Sequence, residues 1–112
     1  MMLRASSDSK GEQADINVIT DDTLGDGGVV HGRLLIELVD AVLDEPDGDP
    51  SEPRRRLRDA AGAGLVVEAA AILAIFHLND RVADACGVPL DEFGLDIRRA
   101  VGDQLGLDAR EL

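Results

Sequence analysis

At 112 residues the chain has room for one small domain, and with two phenylalanines and neither tryptophan nor tyrosine its core must be built from aliphatic side chains. A formal charge of -12 argues against a phosphate-backbone binder, because affinity for nucleic acid rests on Lys and Arg neutralising phosphates. One cysteine cannot form a disulfide within the chain, and no charged-then-apolar leader opens it, so the cytoplasm is the expected compartment.

The acid excess is uneven: residues 1–53 carry thirteen acids against three bases, whereas 54–112 carry ten against eight. Residues 1–28 are rich in Ser, Asp, Gly and Gln and read as a disordered acidic arm, leaving 29–112 as the helical domain. Within the arm, Ile16, Val18 and Ile19 form one short apolar patch that is able to dock on a neighbouring surface.

Across 30–44, Leu35, Leu38, Val39, Val42 and Leu43 recur at the spacing of one helical face, and the turn chemistry of 45–50 ends that helix. The next helix is expected to start with Asp49 as cap, Pro50 in the first position and Glu52 reaching back as a capping box, and to run to about Ala61. Gly62 and Gly64 then break the chain before a long helix over 65–86, closed by Gly87 and Pro89. A last helix places Ile97, Ala100, Val101 and Leu105 on one face, with Asp91 or Asp96 as candidate caps. About four helices and no strand predict an all-α fold.

The long helix is the informative element. Its first half is apolar on every side, so the stretch 65–76, from Leu65 to Phe76, needs covering by another helix or by a second copy, which predicts a homo-oligomer. Its longest uninterrupted apolar run, 69–76, is eight residues against the roughly 20 needed to span a bilayer, so no membrane helix is expected.

No cofactor or metal site is expected. Glu45, Asp47 and Asp49 alternate as in a calcium loop, but Pro50 stands where the sharp-turn glycine belongs and Arg56 where the bidentate glutamate belongs. Gly25, Gly27 and Gly28 lack the Lys-Ser/Thr pair of a phosphate loop. Cys86, at a helix C-terminus that disfavours thiolate, reads as a small buried side chain. The densest polar group is His77, Arg81 and Asp84 at i, i+4 and i+7, with Asp80 beside His77 and Asp84. Two readings apply: an acid/base site with His77 oriented by Asp80 or Asp84, or, the favoured one, a structural ion pair between Arg81 and Asp84 or a neighbouring subunit. His31 reads as an exposed residue near a helix start. Arg54, Arg55, Arg56 and Arg58 read as a solvated face with local salt bridges, or as a docking patch for the acidic arm.

Three segments carry a family resemblance: LIELVDAVLDEP with its acidic, proline-containing turn, RLRDAAGAGL before the long helix, and AAILAIFHLNDRVADACGVPLDE. Over 34–92 the chain resembles the C-terminal half of the carboxymuconolactone decarboxylase and alkylhydroperoxidase D (AhpD)-like family, peroxidase-related branch, at positions that include Phe76, Asn79, Arg81, Ala83, Asp84, Gly87 and Val88. The resemblance implies an AhpD-like helical fragment and a homo-oligomer. The family's peroxidases use a Cys-x-x-Cys pair with a histidine and an acid in the preceding half of the domain. This chain has no such pair, and His77 stands where asparagine is usual, so no catalytic residue carries over. The expected function is therefore a degenerate, non-catalytic oligomerisation module. The alternatives are a peroxidase- or decarboxylase-related site completed between subunits, with proton transfer through His77, or an interaction protein pairing with a dithiol-bearing chain that supplies the missing half-domain.

Overall fold

A computed structural model describes residues 14–44, 46–89 and 92–107; the expectations for 1–13 and for Asp91 lie outside these residues. The described chain is all-α, with two single-turn 3-10 helices, Ile16–Ile19 and Asp22–Leu24, followed by four α-helices: α1, Gly32–Leu43; α2, Ser51–Ala61; α3, Ala63–Cys86; and α4, Leu95–Gln104. No strand occurs among the described residues.

Residues 14–28, the described part of the expected arm, contain the two 3-10 turns. Ile16 and Val18 are buried at 5% and 6% exposure. Asp15 caps the first turn by accepting from Asn17 N at 3.0 Å, Asp21 caps the second by accepting from Thr23 N at 2.9 Å, and Asp15 N donates to Gly27 O at 2.8 Å to close the loop. Arg33, in the first turn of α1, holds this loop down. Its Nη2 donates to Val18 O at 3.1 Å and Asp21 O at 2.9 Å, and its Nε donates to Gly25 O at 3.2 Å. One guanidinium thus satisfies three backbone carbonyls of this loop, and two of its aliphatic side chains are buried. The patch at Ile16 and Val18 is buried within its own chain, and among the described residues no hydrogen bond joins Arg54, Arg55, Arg56 or Arg58 to 14–28.

Helix α2 is the bridge of the fold, packing on both α1 and α3. Its one buried residue, Leu57, is fully enclosed at 0% exposure. The arginine cluster is the solvated face that the sequence predicts: Arg55 pairs with Glu52 and, at 3.4 Å, with Asp59, while Arg58 meets Asp59 at 3.5 Å. Arg56 reaches across to Glu37 of α1 at 2.6 Å. These pairs are exposed and screened by solvent, so they add little to stability.

The start of α2 differs from the expected capping box by one position. Asp49 accepts from Ser51 N at 2.9 Å, but Pro50 precedes the helix and Glu52 turns forward to Arg55, whose charge three residues on outcompetes a backbone amide. Hydrogen bonds from Ser51 hold the Asp49 carboxyl below its ordinary pKa, and Arg55 does the same for Glu52. A depressed carboxylate stabilises the fold above its unfolded pKa and loses that contribution as pH falls through the lower folded value. Acidification below about pH 4 is therefore expected to fray the first turn of α2 before the rest, read as a selective loss of amide protection at Ser51 and Arg54.

Gly62 alone breaks α2 from α3, with φ 92, while Gly64 lies inside the first turn of α3. The helix stops as predicted: Gly87 is left-handed at φ 64, Gly87 N donates to Asp84 O at 3.2 Å and Val88 N to Ala83 O at 3.0 Å. Helix α4 starts at Gly94 with no side-chain cap, so Asp96 lies in the first turn without capping it. Its far end is tied to the arm by Gln104 Nε2 donating to Asn17 Oδ1 at 3.1 Å.

Candidate functional site

Helix α3 has 24 residues, and none of them is buried. Val66, Leu73 and His77 recur along the face turned toward α1 and α2 and are half-buried there. Leu65, Ala69 and Ala83 are half-buried as well, and the other side chains stand uncovered: Val67 is 67% exposed, Ile72 57%, Ile75 57%, Leu78 63% and Val82 52%. The cause is local. Helices α1 and α2 span 12 and 11 residues and together shield one side of one part of a helix twice their length.

Two clefts run along the shielded face and meet at Leu73 and His77. The first, about 340 Å³, lies between α1, the start of α2 and α3, and is lined by Leu38, Val42, Pro50, Arg54, Val66 and Ala70 among others. It is apolar save for Arg54 and His77. The second, about 610 Å³, opens beyond the end of α1 and gathers Leu43, Phe76, His77, Asp80, Arg81 and Asp84. All four predicted polar residues therefore line one concave surface, as the i, i+4, i+7 stripe requires.

Within one copy, among the described residues, the bonding is neither a His77–carboxylate contact nor an Arg81–Asp84 ion pair. Arg81 Nε donates to His77 Nε2 at 3.1 Å. With Nε2 as the acceptor, the lone pair that a general base would offer from that nitrogen is occupied. Among the described residues, neither Asp80 nor Asp84 bonds to His77 or forms an ion pair with Arg81. One turn of helix brings Arg81 directly over His77, so the guanidinium takes the nearer ring acceptor. The group is a hydrogen-bonded His77–Arg81 pair with Asp80 and Asp84 lining the same cleft.

Cys86 is exposed rather than buried, because it lies at the end of α3 beyond the reach of α1 and α2. It does not line the cleft with His77. His31 precedes α1 in a left-handed conformation, φ 60, with no cap hydrogen bond, and is half-buried rather than exposed. The sequence reading missed Arg33, Leu43 and Arg54 in these roles. For Leu43 the signal was present, since it extends the apolar face of α1; for the two arginines only the folded chain supplies their neighbours.

Helix α3 is also long and apolar enough to cross a membrane by length and composition, with an 18-residue window of mean hydropathy 1.5 that is 0% buried. An uninterrupted run of eight apolar residues understated this, because Glu68 and His77 interrupt the run without much lowering the average. No protein-family model, no curated protein and no solved structure matches the chain.

Proposed function

We propose that this chain is a helical oligomerisation module, of AhpD-like kinship but without that family's Cys-x-x-Cys chemistry, that assembles with copies of itself through α3. The observation that carries this reading is a 24-residue apolar helix with no buried residue. Large apolar side chains left half in water, where the buried apolar core among the described residues is as small as Ile16, Val18, Leu38 and Leu57, drive association. Covering those of two copies recovers on the order of 10 kcal/mol at roughly 1 kcal/mol per half-exposed side chain. That is comparable with an association cost of about 4–15 kcal/mol.

A protein partner accounts for α3 better than lipid does. Asp80, Arg81 and Asp84 fall in its last two turns and Glu68 in its first two, so the stretch free of Asp, Glu, Lys and Arg is 69–79, about 16 Å at 1.5 Å per residue and interrupted by His77, against a hydrocarbon core of about 30 Å. The resemblance over 34–92 supports the same reading, since members of that family are commonly homo-oligomers. The His77–Arg81 pair fits a positioning role at the rim of the assembly rather than catalysis.

Sedimentation velocity across a hundredfold range of concentration tests this. The expected result is a concentration-dependent oligomer that Ile75→Asp shifts at least tenfold toward monomer while far-UV circular dichroism stays helical, because Ile75 is 57% exposed within one copy. A folded monomer throughout that range, or flotation with neutral phosphatidylcholine vesicles, overturns the reading.

A further inference from the structure

The uncovered face of α3 has a definite period. Ala71, Ile75, Leu78, Val82 and Ala85 follow one another at alternating steps of four and three, and all five are exposed. That spacing averages 3.5 residues, the repeat with which one helix seats its side chains between those of another in a left-handed pair crossing at about 20°. The shielded residues Val66, Leu73 and His77 lie on the opposite side of the helix, so one copy can hold α1 and α2 on one face and a partner helix on the other.

We infer that this seam pairs α3 with α3 of a second copy in antiparallel orientation. The inference rests on the oligomer reading above and adds the contact residues and the direction. Continued one step toward the N-terminus, the repeat reaches Glu68, which is exposed and has no ion-pair partner among the described residues. A parallel pair sets the two Glu68 carboxylates against each other on the seam, where like charges repel across a desolvated contact. An antiparallel pair centred between Ile75 and Leu78 separates them by about 25 Å at 1.5 Å per residue, well beyond a Debye length of about 8–10 Å.

The same antiparallel register makes the seam complementary to itself. Ile75 faces the second copy's Leu78, small Ala71 faces Val82, and Glu68 faces Ala85 near the helix end, where a small neighbour leaves the carboxylate a path to water. Large meets small at the flanks and two branched side chains meet at the centre, which is how facing helices interdigitate without voids. This self-matching is what selects a second copy as the occupant.

The test is a distance measurement in the full chain. With Cys86→Ser as background, a nitroxide on Ala63→Cys, at the start of α3, reports the separation between copies by double electron–electron resonance. Antiparallel pairing is expected to give about 40 Å; a separation under about 20 Å means parallel helices and overturns the orientation. Leu78→Asp is expected to abolish the intermolecular signal while helicity by circular dichroism is retained, since Leu78 is 63% exposed in one copy. An assembly that survives Leu78→Asp leaves the oligomer reading standing and overturns the seam. A monomer at every concentration removes both.

Discussion

Replacing Leu57 by alanine is expected to cost about 2–5 kcal/mol and to remove most of the stability of a domain this small. Leu57 is the one buried residue of α2, it is 0% exposed, and α2 is the element that packs on both α1 and α3. Truncation therefore opens a cavity against the helix that packs on both of the others. Urea unfolding followed by circular dichroism checks the magnitude. The volume-conserving Leu57→Met is expected to cost less than about 1.5 kcal/mol, which separates loss of volume from loss of shape. A cost for alanine below about 1 kcal/mol would show that α2 is not the bridge.

The second large effect is expected at Gly32. A Cβ built there lies 2.2 Å from Asp26 O and 3.0 Å from Asp26 C, both backbone atoms that cannot swing aside. Asp26 is itself fixed, its Oδ1 accepting from Arg33 N at 3.0 Å, and Gly32 N donates to Val29 O at 2.8 Å. Alanine gains about 1 kcal/mol over glycine in an unobstructed helix, so the sign depends on the steric term. At Gly32→Ala the clash wins: an overall loss of about 1–3 kcal/mol is expected, with the loop released from α1. Hydrogen exchange reads this as lost protection at the Asp15 amide, which donates to Gly27 O at 2.8 Å. The matched control is Gly64→Ala in the first turn of α3, where nothing lies within 4 Å of the added Cβ and a gain in stability is expected.

Much of the architecture was legible from local chemistry. The apolar spacing through Leu35, Leu38 and Val42 and the stop signals at Gly62 and Gly87 placed the helices to within about two residues, because capping and turn preferences act over only a few positions. The polar stripe from His77 to Asp84 was legible for the same reason, since helical period alone puts those side chains on one face. Which partner each of them takes was not. Arg81 Nε reaches His77 rather than Asp84, and Glu52 turns to Arg55 rather than to the helix start, because such choices depend on side-chain reach and competing charges that spacing does not encode.

Two further features needed the folded chain. The loop at 14–28 is tied to α1 through Arg33, whose carbonyl acceptors lie 8 to 15 residues away in sequence, and no local rule connects an arginine to acceptors that distant. The apolar stretch 65–76 announced that α3 needs covering, and its composition determined that need. Which side stays uncovered was decided by packing: α1 and α2 occupy the face of Val66, Leu73 and His77, so Ala71, Ile75, Leu78 and Val82 are left facing outward, three of these four at least half exposed by the measured fractions. Sequence fixes how much apolar surface a helix carries, because that is a sum over residues. Only tertiary structure decides which part of it remains in water, because burial is a property of the neighbours.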